Sequence, residues 1–128
     1  MTSYTPPSNK IIHVTFVDFV TRQNINPVLL MQHDGALSIL EVHLFKNGIK
    51  YQLSESSTAY IRFKNLENNN VYNQALGYNS SDSSIIYFNI TQTMTASYGK
   101  TFGAIEIGSG NAIANSALIT FIIDKNLI

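Results

Sequence analysis

The chain has 128 residues, enough for one domain with its own core, and its eight Lys and Arg balance eight Asp and Glu to a formal net charge of zero, which sets aside phosphate-backbone and membrane-surface partners. Charged residues make up 12% of the chain, about half the ordinary share, so the polar surface falls to Asn, Ser, Thr and Gln. There are no cysteines, which excludes disulfides, thiolate nucleophiles and Cys-based zinc sites.

"MTSYTPPSNK", residues 1–10, lacks the basic segment and apolar run of a signal peptide. It reads as an irregular arm, because Pro6-Pro7 favours an extended shape and donates no hydrogen bonds. "IIHVTFVDFV" alternates as a strand with Ile12, Val14, Phe16 and Val20 on one face. "TRQNINP" is loop, "VLLM" a short strand and "QHDG" a turn. "ALSILEVHLF" is a strand with Leu40, Val42 and Leu44 on one side. It runs into Lys46-Asn47-Gly48, where Asn-Gly suits a type I′ turn with positive φ at both positions.

A short partner strand follows over 49–53, and "SESS" ends it. "TAYIRFKN" places Ala59, Ile61 and Phe63 inward and Tyr60, Arg62 and Lys64 outward. "LENNN" is a turn, "VYNQAL" a strand, "GYNSSDS" a polar turn and "SIIYFNI" a strand rich in β-branched and aromatic residues. "TQTMTASYG" breaks the alternation: Thr91 suits the cap of a single helical turn, and Gly99 its end. "KTFGAIEIG" and "NSALITFIID" are strands around the hairpin loop "SGNAIA". The sum is seven to nine short strands with turn signals roughly every ten residues, which predicts an antiparallel all-β sandwich with one short helical turn. The expected organisation is the arm, 1–10, followed by a single sandwich domain, 11–128. No stretch approaches the ~18 apolar residues of a membrane span; a soluble product made in the cytoplasm is expected.

Few residues carry a chemical signal. His13, His33 and His43 sit on different elements without metal-ligand spacing. The carboxylates fall in turns or singly on strand faces; a pair such as Glu41 and Glu106 across a sheet is the arrangement a glycosidase would need, and a small sandwich without a cleft-forming insertion argues against it. Nucleophile and phosphate-loop motifs are absent, and "GSGNA" joins two strands rather than a strand and a helix. Asn79-Ser80-Ser81 and Asn89-Ile90-Thr91 match glycosylation sequons by chance, given no secretion signal. No catalytic, cofactor-binding or metal residue, and no cofactor, is expected. The remaining candidates are aromatic. Tyr51, Tyr60, Tyr72 and Tyr78 suit either ordinary strand surface or a row that stacks on sugars or anchors a partner.

A longer pattern runs through these elements. Lys46-Asn47-Gly48 is followed by Leu53, by Thr58-Ala59 with Arg62-Phe63-Lys64, by a threonine-led turn from Thr91 to Met94 with Gly99, and by the strand 117–123. This order, over residues 11–125, resembles the N-terminal domain of phage baseplate upper proteins of Gram-positive hosts. The resemblance implies an immunoglobulin-like β-sandwich. It also implies a non-enzymatic adaptor in the tail tip or baseplate, joining the tail hub to receptor-binding proteins in the virion. Partners would be other tail proteins and copies of the chain itself. Members of that family usually continue into a linker and a C-terminal part that holds the receptor-binding protein. This sequence starts at Met1 and stops at Ile128, which leaves two readings: an excised N-terminal domain, or, as the first Met and the tail "DKNLI" favour, a short protein attached by the sandwich alone. A surface with few charges suits such packing, although AT-rich codon usage also inflates Asn and Ile. The candidate interface residues are Tyr4, Pro6, Pro7, Tyr72 and Tyr78. The rival expectation is a carbohydrate-binding module that contacts host wall glycan.

Overall fold

The computed structural model describes residues 1–21, 23–24, 26–33, 37–109 and 112–125. Among these lie eleven strands: β1 Ile11–Asp18, β2 Gln23–Asn24, β3 Val28–Met31, β4 Ser38–Lys46, β5 Ile49–Lys50, β6 Ser57–Lys64, β7 Asn70–Gln74, β8 Gly77–Asn79, β9 Asp82–Asn89, β10 Gly99–Ser109 and β11 Ala112–Asp124. Hydrogen bonding runs in the order β7-β6-β10-β11-β2-β1-β4-β9-β8, with β3 on β11 and β5 on β4. This path folds over on itself into two layers facing one another, the sandwich that the alternation predicts. The two-residue β2 joins the layers, pairing β1 at Val17↔Asn24 and β11 at Leu118↔Gln23. The two-residue β2 and the three-residue β8 are too short to show alternation, which is why the sequence predicts fewer strands.

The pairing is mixed rather than antiparallel throughout. β1 runs parallel to β4 over its whole length, Ile11↔Ser38 to Asp18↔Phe45, and β3 runs parallel to β11. Parallel neighbours need a crossover rather than a hairpin. The chain after β1 supplies it by crossing to the opposite layer, forming β3 there, and returning as β4. "GYNSSDS", read as a turn, begins with β8, whose Tyr78 pairs Ile86 of β9.

The turn chemistry behaves as the sequence dictates. Asn47 and Gly48 have φ of 53° and 76°, the positive pair that a type I′ turn requires. Asp18, at the end of β1, grips this turn: Oδ1 accepts from Asn47 N at 3.0 Å and Val20 N at 2.9 Å, and Oδ2 from Gly48 N at 2.8 Å. Those backbone donors, Gly48 foremost, lower the Asp18 pKa below the ordinary carboxylate value. On β9, Asp82 accepts from Lys50 Nζ at 2.8 Å, Ser84 Oγ at 2.6 Å and Ser84 N at 3.0 Å, and its pKa falls to about 2.

The core draws on both layers. Leu40, Val42 and Leu44 of β4, Ala59, Ile61 and Phe63 of β6, Ile86 and Phe88 of β9, Ile105 and Ile107 of β10 and Phe121 of β11 are buried together. Phe63 and Phe121 meet edge to face, with centroids 5.3 Å apart at 83°, a favoured aromatic geometry. At one end the segment after β9 makes i→i+3 hydrogen bonds, Met94 N to Thr91 O at 3.1 Å and Thr95 N to Gln92 O at 3.2 Å. Thr91 Oγ1 also accepts from Met94 N, at 3.4 Å. This is the single turn the sequence predicts, and it seats Met94 in the core. Gly99 does not end that turn; it is the first residue of β10.

Buried Asn65 ties this turn to the β6–β7 connection. Its Oδ1 accepts from Glu67 N and Asn69 N, each at 2.9 Å, and its Nδ2 donates to Thr93 O at 2.8 Å. Asn65→Ala removes the side-chain partner of those backbone groups at a buried position, and is expected to cost roughly 1–3 kcal/mol, read as a lower midpoint in chemical denaturation. The pH dependence follows from the two aspartates. Folded-state pKa values below 3.8 mean that their stabilisation is present above that pH and is lost as pH falls through the folded value, about 2 for Asp82. Melting temperature is therefore expected to fall between pH 4 and about pH 2, and less steeply in the Asp18→Asn, Asp82→Asn double variant.

Candidate docking surfaces

Three surfaces follow from this frame. The first is the edge strand β8, where the N-terminal residues are already docked. Tyr4 N donates to Tyr78 O at 2.8 Å and Tyr78 N to Thr2 O at 3.0 Å, with Ser3 opposite Tyr78 in a parallel bridge. The Tyr4 ring packs on Tyr87, with centroids 5.6 Å apart. The Met1 ammonium donates to the Glu55 and Ser57 carbonyls. Gly77 makes this approach possible: a Cβ there would stand 2.4 Å from Thr2 O and 2.8 Å from Tyr4 Cβ. Asn79 orders the far end of β8, accepting from Ser81 N at 2.9 Å and Asp82 N at 3.1 Å while its amide donates to the Tyr87 hydroxyl at 2.9 Å.

The second surface is the outer face of β1. Ile12, Val14 and Phe16 share a face, as their spacing predicts, and that face points to solvent. The register fixes this: Thr15 and Val17 lie opposite Val42 and Leu44, whose side chains belong to the core, so the alternate residues must turn outward. Phe16, 42% exposed, lies over His43 with centroids 4.6 Å apart and near Phe45 at 6.3 Å. A shallow pocket of about 290 Å³ opens between Phe16, Phe45 and Gly48. His43 Nε2 and Glu41 Oε2 lie 2.7 Å apart beside it.

The third surface is the outer face of the opposite layer. Leu29, Met31, Phe102 and Leu118 are exposed there, and the registers Ile122↔Leu29, Phe102↔Thr120 and Ala104↔Leu118 make them neighbours on adjacent strands. Further along, Tyr60 and Tyr72 stack with centroids 4.9 Å apart and planes 4° apart. Arg62 of the same strand pairs with Glu106, which is only 5% exposed. Partial burial, and then the negative charge of Glu106, raise the Tyr72 pKa.

The expected interface residues thus separate into three places. Tyr4 and Tyr78 are adjacent, Pro6 and Pro7 lie in the segment between the docked residues and β1, and Tyr72, 57% exposed, lies on the other layer. The sequence reading missed the outward rows around Phe16 and Phe102, because alternation assigns faces without saying which is inner. It also missed Gly77, whose signal was a glycine opening a strand.

The carboxylate pair that a glycosidase would need is not brought together among the described residues. Glu41 alternates with Leu40 and Val42, and Glu106 with Ile105 and Ile107, so the two carboxylates point outward from opposite layers. No group of three or more His, Asp or Glu among the described residues has metal-holding geometry.

The geometry is that of an all-β sandwich with a docked N-terminal segment and apolar outer faces. Among solved structures, the N-terminal domain of phage TP901-1 ORF48 has the same fold, with a TM-score of 0.69 at 11% identity, covering 89% of this chain and 98% of that one. No protein-family model matches the chain, and no curated protein does.

Gly77→Ala is expected to expel residues 1–4 from β8 while leaving the sandwich folded. Limited proteolysis with mass spectrometry should then show cleavage before Ile11 at least tenfold faster than in the parent, with the core melting transition retained.

Proposed function

We propose that the chain is a non-enzymatic structural protein of a phage or phage-tail-like particle. Its place is the baseplate or tail tip, where it docks on the tail hub and links it to peripheral or receptor-binding proteins. The observation that carries this reading is the shared fold with the N-terminal domain of a phage protein over nearly the full length of both chains. The order of sequence motifs, from Lys46-Asn47-Gly48 to the strand 117–123, supports it independently.

On this reading the arm, 1–10, and the sandwich, 11–128, are the working parts. No cofactor takes part. The chain is made in the host bacterial cytoplasm and ends in the virion. Docking is rigid-body association with other tail proteins and with copies of itself. The outward rows supply the driving force: removing apolar side chains such as Phe16 or Phe102 from water contributes about 1.5–3 kcal/mol for each one fully buried. Exposed apolar rows of this kind mark interaction surfaces on soluble domains. With 12% charged residues, the chain brings little charge to desolvate. Tyr4, Pro6, Pro7 and Tyr78 serve the arm contact, and Tyr72 the opposite face.

One observation favours a second reading. The parallel Tyr60–Tyr72 stack, beside Arg62, offers an aromatic platform of the type that takes sugar rings. Binding of the isolated protein to host wall glycans on an array, lost in Tyr72→Ala, would establish that reading.

The adaptor reading is tested by incorporation. Phe16→Ser and Phe102→Ser sit on solvent-facing positions, so each should fold as the parent does. At least one is expected to reduce the amount of protein recovered in purified tail particles tenfold or more. Full incorporation of both, and of a chain lacking residues 1–10, would remove docking through these surfaces.

A further inference from the structure

The geometry points to an arm-exchange site: the β8 edge accepts residues 1–4 of a second copy of this chain in place of its own. The argument starts from the acceptor. β8 ends the hydrogen-bonded path, and an open sheet edge offers unpaired donors and acceptors to any extended segment. Here the edge is shaped for one particular strand. Tyr78 gives both its backbone groups to Thr2 and Tyr4, Tyr87 receives the Tyr4 ring, and the missing side chain of Gly77 leaves the space that Thr2 O and Tyr4 Cβ occupy.

The connection comes next. The contacts that seat the arm on β8 involve residues 1–4. Between them and β1 lie Thr5 to Lys10, whose Pro6 and Pro7 hold an extended course and whose backbone makes a local turn, Lys10 N to Pro7 O at 3.2 Å. An arm from another copy reproduces every contact on β8 without a new interface. Closed and exchanged forms therefore differ in free energy only through linker strain and concentration, the condition under which exchange of an identical element yields dimers at low cost. The linker is only six residues long, and strain in short hinges promotes exchange. The partner is thus chemically defined as the extended segment Thr2-Ser3-Tyr4, added parallel to β8. Neither the site nor the partner depends on the baseplate reading.

The chain has no cysteine, so introduced thiols report cleanly. Ser3 and Ser80 are both exposed, one on the arm and one just beyond β8. The Ser3→Cys, Ser80→Cys double variant, treated dilute with a short bismaleimide, should close within one chain. A concentrated mixture of the two single variants should accumulate cross-linked heterodimer over hours, and that product should disappear when the Ser80→Cys chain also carries Gly77→Ala. Removing Ser8 and Asn9 should move the protein toward dimer in size-exclusion chromatography with light scattering. Closure of the double variant without heterodimer in the mixture would overturn the inference. So would heterodimer that persists with Gly77→Ala, or a monomeric chain after linker shortening.

Discussion

The parallel pairing of β1 with β4 is the constraint on which the remaining architecture rests. Eight consecutive register pairs, Ile11↔Ser38 to Asp18↔Phe45, tie the first strand to the strand that carries the most buried apolar stripe. Because Leu40, Val42 and Leu44 face the core, Thr15 and Val17 must face it too, and Ile12, Val14 and Phe16 must not. The same pairing brings Asp18 to the β4–β5 turn, so that a type I′ hairpin is clasped by a carboxylate from a neighbouring strand. It also obliges the intervening chain to visit the other layer, where β3 joins β11.

What was legible in the sequence is what depends on neighbours along the chain. The Asn47-Gly48 turn, the inward set Ala59, Ile61 and Phe63, and the single turn after Thr91 all follow from local steric preference or period-two alternation. What was not legible depends on distant partners. Both faces of β1 carry apolar residues, so only the register with β4 decides which is inside. The parallel direction of β1 is likewise a property of the pair. The mixed sheets, and the strand character of Gly77–Asn79, emerge only once β9 and the N-terminal residues are in place on either side of β8. The grouping of these tyrosines is likewise set by distant partners: nothing local announces that Tyr4 and Tyr78 share hydrogen bonds, while Tyr72 lies on the far layer.

These features favour one physical account of the molecule. The core is closed with ordinary aromatic and branched packing, yet both outer faces retain large apolar side chains, and few charges dilute them. A free monomer gains nothing from Phe16, Leu29, Phe102 and Leu118 in water. A component seated among neighbours gains hydrophobic burial from each. The docked N-terminal segment answers the same problem at the sheet edge, where the chain covers its own β8 rather than leaving it open.

Placement in a tail particle is the central claim, and the most direct measurement is immunogold electron microscopy of purified particles from the producing strain, using antibody raised to this protein. Label clustered at the tail tip is the predicted result. Particles that stay unlabelled, while the same antibody detects the protein in the producing cells, would contradict it.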